Sequence, residues 1–291
     1  MKKILITGAT GFIGQHLLKS LSREHEIHLL VRPSTNWEGN DNLGRFVFND
    51  NIDELREYIV ENRIEGILHL ASLFIAQHQS DQCKDLILSN VYLGTALLEA
   101  AKKTNVQWFL NTGTYWQNYQ PDSTEYNPVN LYAATKQAFI DIAKYYTETS
   151  DIKFVTLKIC DTYGPKDPRR KLMALFKQYA QSGEQLKMSP GEQRINLLYI
   201  DDVVQGFITL MNLLHNKAEL LDEYALSAAT TYSLKELAQI FEQVSKKKLH
   251  IVWGGLPYRE REVMTPWQQG VIVPGWKPET DIFQGIERFL A

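Results

Sequence analysis

Cysteine is scarce: only Cys83 and Cys160 occur in 291 residues. They lie far apart and form no CxxC pair, so a disulfide framework is not expected; two reduced thiols packed as small hydrophobes are. The seven histidines form no cluster with ligand spacing, and no metal is expected. Long apolar runs are absent too, so no segment reads as a bilayer span. The start, Met1-Lys2-Lys3 and then Ile4-Leu5-Ile6-Thr7-Gly8, reaches a glycine turn before a secretory apolar core has formed. A strong charge bias is also missing. The net charge of −3 sets up no global field for nucleic acid or an anionic membrane. There is no internal repeat and no low-complexity segment. These absences point to a cytoplasmic protein with neither nucleic acid nor membrane as partner, in which any anionic ligand is met by local groups.

The composition, 44% hydrophobic and 22% charged, suits a sizeable buried core. The first two-thirds of the chain alternates β-branched or leucine-rich runs with amphipathic stretches. Strands are predicted at Lys3–Ile6, Glu26–Val31, Phe46–Phe48, Gly66–Leu70, Gln107–Leu110 and Phe154–Ile159. Helices are predicted at Phe12–Leu21, Ile52–Asn62, Asn90–Lys103 and Tyr132–Tyr146. Strands alternating with helices imply an α/β fold, a doubly wound parallel sheet of Rossmann type. After Pro165 proline, glycine and charge become denser, as in Lys166-Asp167-Pro168-Arg169-Arg170-Lys171. Residues 182–194 read as loop or short strands. Leu234–Val244 reads as a helix opened by a capping box of Ser233 and Glu236. The expected division is a dinucleotide-binding domain over 1–165, with a return near 195–215, and a smaller substrate-binding lobe over 166–291.

Thr7-Gly8-Ala9-Thr10-Gly11-Phe12-Ile13-Gly14 stands between the first strand and the first helix. Gly8 permits a tight turn, Gly11 lets the backbone approach a pyrophosphate, and Gly14 lets helix and strand pack closely. The helix start then offers free N–H groups and its positive dipole end to phosphates. The second strand ends in Val31-Arg32-Pro33-Ser34, without the acid that usually holds a ribose 2′-hydroxyl. Arg32 and Ser34 suit a 2′-phosphate, which favours NADP over NAD. The plain alternative is that Arg32 is a solvated surface charge.

Tyr132-Ala133-Ala134-Thr135-Lys136 is YxxxK. Four residues apart on a helix is one face, so the Lys136 ammonium is predicted to lower the Tyr132 phenol from about 10 towards neutrality. Such a phenol exchanges a proton with a carbonyl or alcohol oxygen. The fifth strand ends in hydroxyls, Asn111-Thr112-Gly113-Thr114, ahead of this helix.

With these motifs in place the chain resembles the extended short-chain dehydrogenase/reductases, the nucleotide-sugar epimerase and dehydratase group. The likeness runs through Thr7–Gly14, His69-Leu70-Ala71-Ser72, Asn90 opening a helix, Tyr132–Lys136, Tyr163-Gly164-Pro165 and Arg194–Asp202. It implies a catalytic Thr114, Tyr132 and Lys136. Thr112 stays open as the alternative hydroxyl, because Tyr115-Trp116-Gln117 replaces the family's usual continuation. It also implies that Thr10, Phe12, Ile13, Leu70, Ala71, Ser72, Asn90, Thr112 and Ile159 line the cofactor, with Asp50 and Asn51 at the adenine. Family members often dimerise through two helices per subunit, here Asn90–Lys103 and Tyr132–Tyr146. Phe139 would suit that seam or the protein's own core equally well.

Family dehydratases carry an Asp-Glu pair directly after the catalytic threonine. Tyr115-Trp116 stands there instead, so dehydration is disfavoured. Within the family the chain most resembles the nucleotide-sugar 4-ketoreductases, which implies NADPH-dependent reduction at C4 of a nucleotide-linked 4-keto-6-deoxy or 3,6-dideoxy hexose. Two other readings remain: a 4-epimerase that keeps NAD bound, and a non-catalytic NADP-binding regulator. For the substrate, Trp116, Asp161, Tyr258 and the cations Arg194 and Arg259 (or Arg261) are the candidates. Arg169 and Arg170 read as a solvated charged face.

Overall fold

Along Lys2–Thr7 (β1) every residue from Ile4 to Thr7 is buried, as in a parallel strand covered on both faces. The structure, a computed structural model, describes residues 1–35 and 43–291. After β1 come Phe12–Leu21 (α1), His25–Val31 (β2), Gly44–Val47 (β3), Ile52–Glu61 (α2) and Gly66–His69 (β4). Cys83–Ile87 (α3) runs through a π turn at Leu88–Tyr92 into Leu93–Ala101 (α4). Then follow Trp108–Thr114 (β5), Leu131–Thr149 (α5), Lys153–Ile159 (β6), Asp161–Tyr163 (β7), Leu172–Ser182 (α6), Gln185–Met188 (β8) and Arg194–Tyr199 (β9). Ile200–His215 (α7), Glu223–Leu226 (β10), Thr231–Ser233 (β11), Leu234–Ser245 (α8), His250–Trp253 (β12) and Ile282–Leu290 (α9) complete the chain.

The central sheet is parallel, with strand order β10-β6-β5-β4-β1-β2-β3. Alternate residues of β1 feed opposite faces. Ile4 and Ile6 join Leu17 of α1 and Phe207 of α7, while Leu5 joins Leu55 of α2, Leu97 of α4 and Phe139 of α5. Phe139 is thus wholly inside the protein's own core. Strand order reverses between β1 and β4, which opens a crevice at their carboxyl ends.

Several boundaries differ from the sequence reading. The third strand starts earlier, at Gly44. Strand β5 runs past the apolar stretch expected to end at Leu110 and takes in the hydroxyl run to Thr114; its residues are all buried. The helix expected to open at Asn90 begins at Cys83 instead, and Asn90 sits inside the π turn. The chain also returns to the central sheet beyond 215, because β10 pairs with β6.

Outside the central sheet lie a β11-β9-β7 sheet and a β12-β8 ribbon. The capping box of Ser233 and Glu236 opens α8. Asp202, at the start of α7, accepts from Glu279 N (3.0 Å) and Thr280 N (3.1 Å), and its carbonyl from Trp276 Nε1 (2.9 Å), so it fastens the tail. Cys83 and Cys160 are both free. No helix among the described residues is long and apolar enough to cross a membrane, and none of them group as metal ligands.

Candidate active site

The glycine turn is built for closeness. Gly8 has φ +70°, and a Cβ there would stand 2.5 Å from Ala71 N; one on Gly14 would stand 2.3 Å from the Gly8 carbonyl. Thr7 Oγ1 accepts from Ala71 N (3.1 Å) and pairs with His69 Nδ1 (2.8 Å), tying β1 to the end of β4. Gly11 N-caps α1 without a side-chain bond, and the first turn has no acid. That helix start is open to an anion through its N–H groups and dipole. Gly11, Phe12, Ile13 and Leu70 line the cleft, while Thr10 is exposed and its carbonyl accepts from Gln15 Nε2.

Arg32 and Ser34 lie exposed in a turn closed by Thr35, whose Oγ1 accepts from Arg32 N at 3.2 Å. Asp50 holds a left-handed φ of 67°. Asn51, expected at adenine, has its side-chain oxygen occupied as the N-cap of α2. Asn90 differs more. Its side chain is wholly enclosed, accepting from Leu73 N (2.7 Å) and Ser72 Oγ (3.1 Å) and donating to Leu73 O (3.0 Å) and Thr135 Oγ1 (3.0 Å). It therefore acts as a strut between the Leu70–Leu73 strip and α5 rather than as a cleft residue.

At the end of β5 the two threonines part. Thr112 Oγ1 is spent on the His69 carbonyl (3.0 Å). The Thr114 and Ser72 hydroxyls lie near the phenol of Tyr132, although the Ser72 hydroxyl donates to Asn90 Oδ1. Both hydroxyls favour the phenolate, as does the nearby Arg169 cation, yet burial dominates and raises the phenol above its ordinary value. This corrects the prediction that Lys136 lowers it. Lys136 is 2% exposed, and its Nζ has no hydrogen-bond partner among the described residues. Burial pushes it down to about 8. Its charge is felt instead by His69, which burial and Lys136 together push down to about 3. A helical repeat shows which residues share a face but not how deeply each is enclosed.

Ile159 pairs with Thr114 across β5 and β6 and lines the cleft. Asp161 accepts from Lys171 Nζ (3.1 Å). Arg194 is held by Thr231, with Nε to Oγ1 at 3.0 Å and a second bond to the carbonyl, and by Glu236. Tyr258 Oη accepts from Glu192 N (3.2 Å). Arg259 donates to Glu262 (3.2 Å) and lies over the Trp116 ring at 5.5 Å, whereas Arg261 is turned to Asn127. Arg169 departs from the solvated face expected of it. Asp167 grips it bidentately (2.7 and 2.7 Å), and it lies 4.7 Å over the Phe12 ring beside the glycine turn. The i, i+2 spacing of Asp167 and Arg169 was the available signal.

Sequence reasoning also missed Gln117. It is fully buried, its Oε1 accepts from Thr114 N (2.9 Å) and its Nε2 donates to Gln137 Oε1 on α5 (2.8 Å). Thr114 and Gln117 form a reciprocal capping pair, and the Thr-x-x-Gln spacing could have revealed it. The cleft, lined among others by Gly11, Leu70, Thr114, Trp116 and Tyr132, measures about 1310 Å³, above the roughly 300–1,000 Å³ usual for one small ligand.

Against known proteins, residues 4–220 match the family model described as "NAD dependent epimerase/dehydratase family". The chain is 28% identical to CDP-abequose synthase of Salmonella muenchen, over 100% of this chain and 97% of that protein. It is 26% identical to CDP-abequose synthase of Yersinia pseudotuberculosis, over 91% of each. Among solved structures, UDP-glucuronic acid 4-epimerase from Bacillus cereus, in complex with UDP-glucuronic acid and NAD, superposes with a TM-score of 0.85 at 20% identity. That match covers 99% of this chain and 98% of the other.

Proposed function

The chain belongs to the NAD dependent epimerase/dehydratase family, and on that premise we propose that it is an NADPH-dependent reductase of the C4 keto group of a nucleotide-linked 4-keto-6-deoxy or 3,6-dideoxy hexose. The observation that carries this reading is the set of groups around the Tyr132 phenol. The Ser72 and Thr114 hydroxyls lie beside it, and Thr114 leads into Tyr115-Trp116 rather than an acidic pair. One proton donor without a neighbouring carboxylate base suits reduction and not dehydration. Similarity to CDP-abequose synthases along the whole chain supports the same reading.

The residues fit a bound dinucleotide. Gly8, Gly11 and Gly14 leave the backbone room, α1 opens without a side-chain cap, and the partnerless Lys136 Nζ is a donor for ribose hydroxyls. When bound, the reduced nicotinamide is the two-electron donor. Tyr132 gives its proton to the substrate oxygen, and Thr114 Oγ1 holds that oxygen in place. The neighbouring hydroxyls and the Arg169 cation favour the charge left on the phenol. Arg194 and Arg259, each oriented by neighbours, are assigned to the substrate diphosphate. A homodimer through the outer sides of α3–α4 and α5, where Ile87, Leu88 and Tyr145 are exposed, belongs to the same reading.

The test is NADPH consumption with a panel of nucleotide 4-keto-hexoses. Consumption is expected. Interconversion of C4 epimers by protein that retains NAD would establish the epimerase instead, and NADPH binding without any turnover the regulator.

Two substitutions examine the parts. Thr114→Val is expected to reduce turnover more than Thr112→Val, since Thr112 already serves the His69 carbonyl; the reverse order in steady-state rates would move the role to Thr112. Arg32→Ala is expected to weaken NADPH binding by roughly one to two decades, the scale of a charge-assisted bond to a 2′-phosphate, and to leave NADH binding nearly unchanged. Raising salt should narrow the wild type's preference, since an exposed pair is screened. A wild type that binds both reduced cofactors equally in fluorescence titrations would end the NADP assignment.

A further inference from the structure

Phe74 is a large apolar side chain left 42% exposed, and it faces the cleft. Its ring stands edge-on to Tyr132 with centroids 5.1 Å apart and tilts against Trp116 at 5.5 Å. The strip that carries it is pinned on both sides. Asn90 binds both backbone groups of Leu73, and Asn130, the N-cap of α5, donates to the Ala76 carbonyl at 2.9 Å. The ring is therefore held in the cleft rather than left there by a loose loop. Uncovered, it forfeits the gain of leaving water; a ligand with an apolar edge restores it.

One face of the ring is bordered by a polar pair. Lys171 Nζ lies 5.2 Å over the Phe74 ring and donates to Asp161, so the apolar surface left to a ligand is the part of the ring beside Tyr132 and Trp116. A sugar whose C4 oxygen meets the Tyr132 phenol must bring the substituents next to C4 against the rings beside that phenol. On one side of C4 that substituent is the C5–C6 arm.

We propose that Phe74, seated with Trp116 against the Tyr132 phenol, is a specificity-determining residue that takes the C6 methyl group of a 6-deoxyhexose and disfavours a C6 hydroxyl. The part of the ring beside Tyr132 and Trp116 offers that hydroxyl no partner, the Lys171 ammonium over its face is committed to Asp161, and burying the hydroxyl there costs its hydrogen bonds to water. The inference rests on the reading of the cleft as a nucleotide-hexose site, but not on the direction or outcome of the reaction.

The experiment compares CDP-glucose with CDP-6-deoxyglucose, which differ by one oxygen, in calorimetric titrations of the NADP-loaded protein. Wild type is expected to bind the 6-deoxy sugar about tenfold more tightly, the scale on which an apolar pocket discriminates such a pair. Phe74→Ser should bring the two within about twofold, and Phe74→Leu, which keeps an apolar wall, should retain most of the preference. Equal binding by wild type, or a preference that survives Phe74→Ser, overturns the proposal. Binding of neither sugar counts against it and the nucleotide-sugar reading together. A preference that behaves as expected in protein that consumes no NADPH with any keto-sugar overturns the reductase assignment and leaves the role of Phe74 standing.

Discussion

Tyr132→Phe is expected to lower turnover by about a hundredfold or more while NADPH still binds. The substitution removes one oxygen and keeps the ring, so the contact with Phe74 at 5.1 Å and the course of α5 persist. It deletes the proton donor, and positioned general acids contribute about 10²–10⁴ in rate. The loss should appear in kcat, because the oxygen serves the reacting carbonyl rather than the nucleotide. Burial holds the phenol above its ordinary value, so the donor keeps its proton throughout the neutral range and is ready to give it. Single-turnover rates together with cofactor titration make the comparison. Near-normal turnover of the variant would remove Tyr132 from the mechanism.

Lys136→Met is expected to abolish activity and yet make the protein harder to unfold. The ammonium is enclosed without a partner, and burial displaces it from its ordinary 10.5 to about 8. At 1.36 kcal/mol per pH unit the charged side chain costs the folded state roughly 3 kcal/mol at pH 7. Between about 8 and 10.5 the unfolded chain holds the proton that the folded one has lost, so wild-type stability rises with pH across that interval. The penalty is complete below it and gone above it. Methionine fills a similar space without charge. The variant should melt several degrees higher at neutral pH, with the margin shrinking as pH passes from 8 to 10.5. Thermal scans at three pH values would test this, and a variant less stable than wild type at pH 7 would show that Lys136 is paired after all.

Spacing rules made part of the site visible in the sequence. Three glycines between a strand and a helix mark the Gly8–Gly14 turn because each close approach forbids a Cβ, a requirement local to the motif. Tyr132 and Lys136 follow from one helical turn, and the Ser233–Glu236 box from the chemistry of a helix start. What stayed hidden depends on neighbours distant in sequence. Arg169 reads as one charge in a run of charges until Asp167 and Phe12 are seen to hold it. Phe74 reads as one more apolar residue after a strand, and only the fold puts it against Tyr132 and Trp116. Asn90 has the right type for a ligand, but its place inside a π turn commits every side-chain bond to Ser72, Leu73 and Thr135. The displacement of the Tyr132 phenol had the opposite sign to the one predicted, since a neighbouring charge is legible in a helical repeat and desolvation is not.

Strand β10 carries a consequence for how the chain acquires its shape during synthesis. It is the outermost member of the central sheet, beside β6, and it emerges only after β7, α6, β8, β9 and α7 have been made. Until residue 226 has left the ribosome, β6 is an unpaired edge with a row of free backbone donors and acceptors. Until α7 arrives, the α1 side of the sheet also lacks the cover of Phe207, Leu210 and Met211. Before then the growing chain exposes an unpaired strand edge and uncovered apolar surface. The quality of the final fold depends on the elongating chain closing that edge before another molecule does.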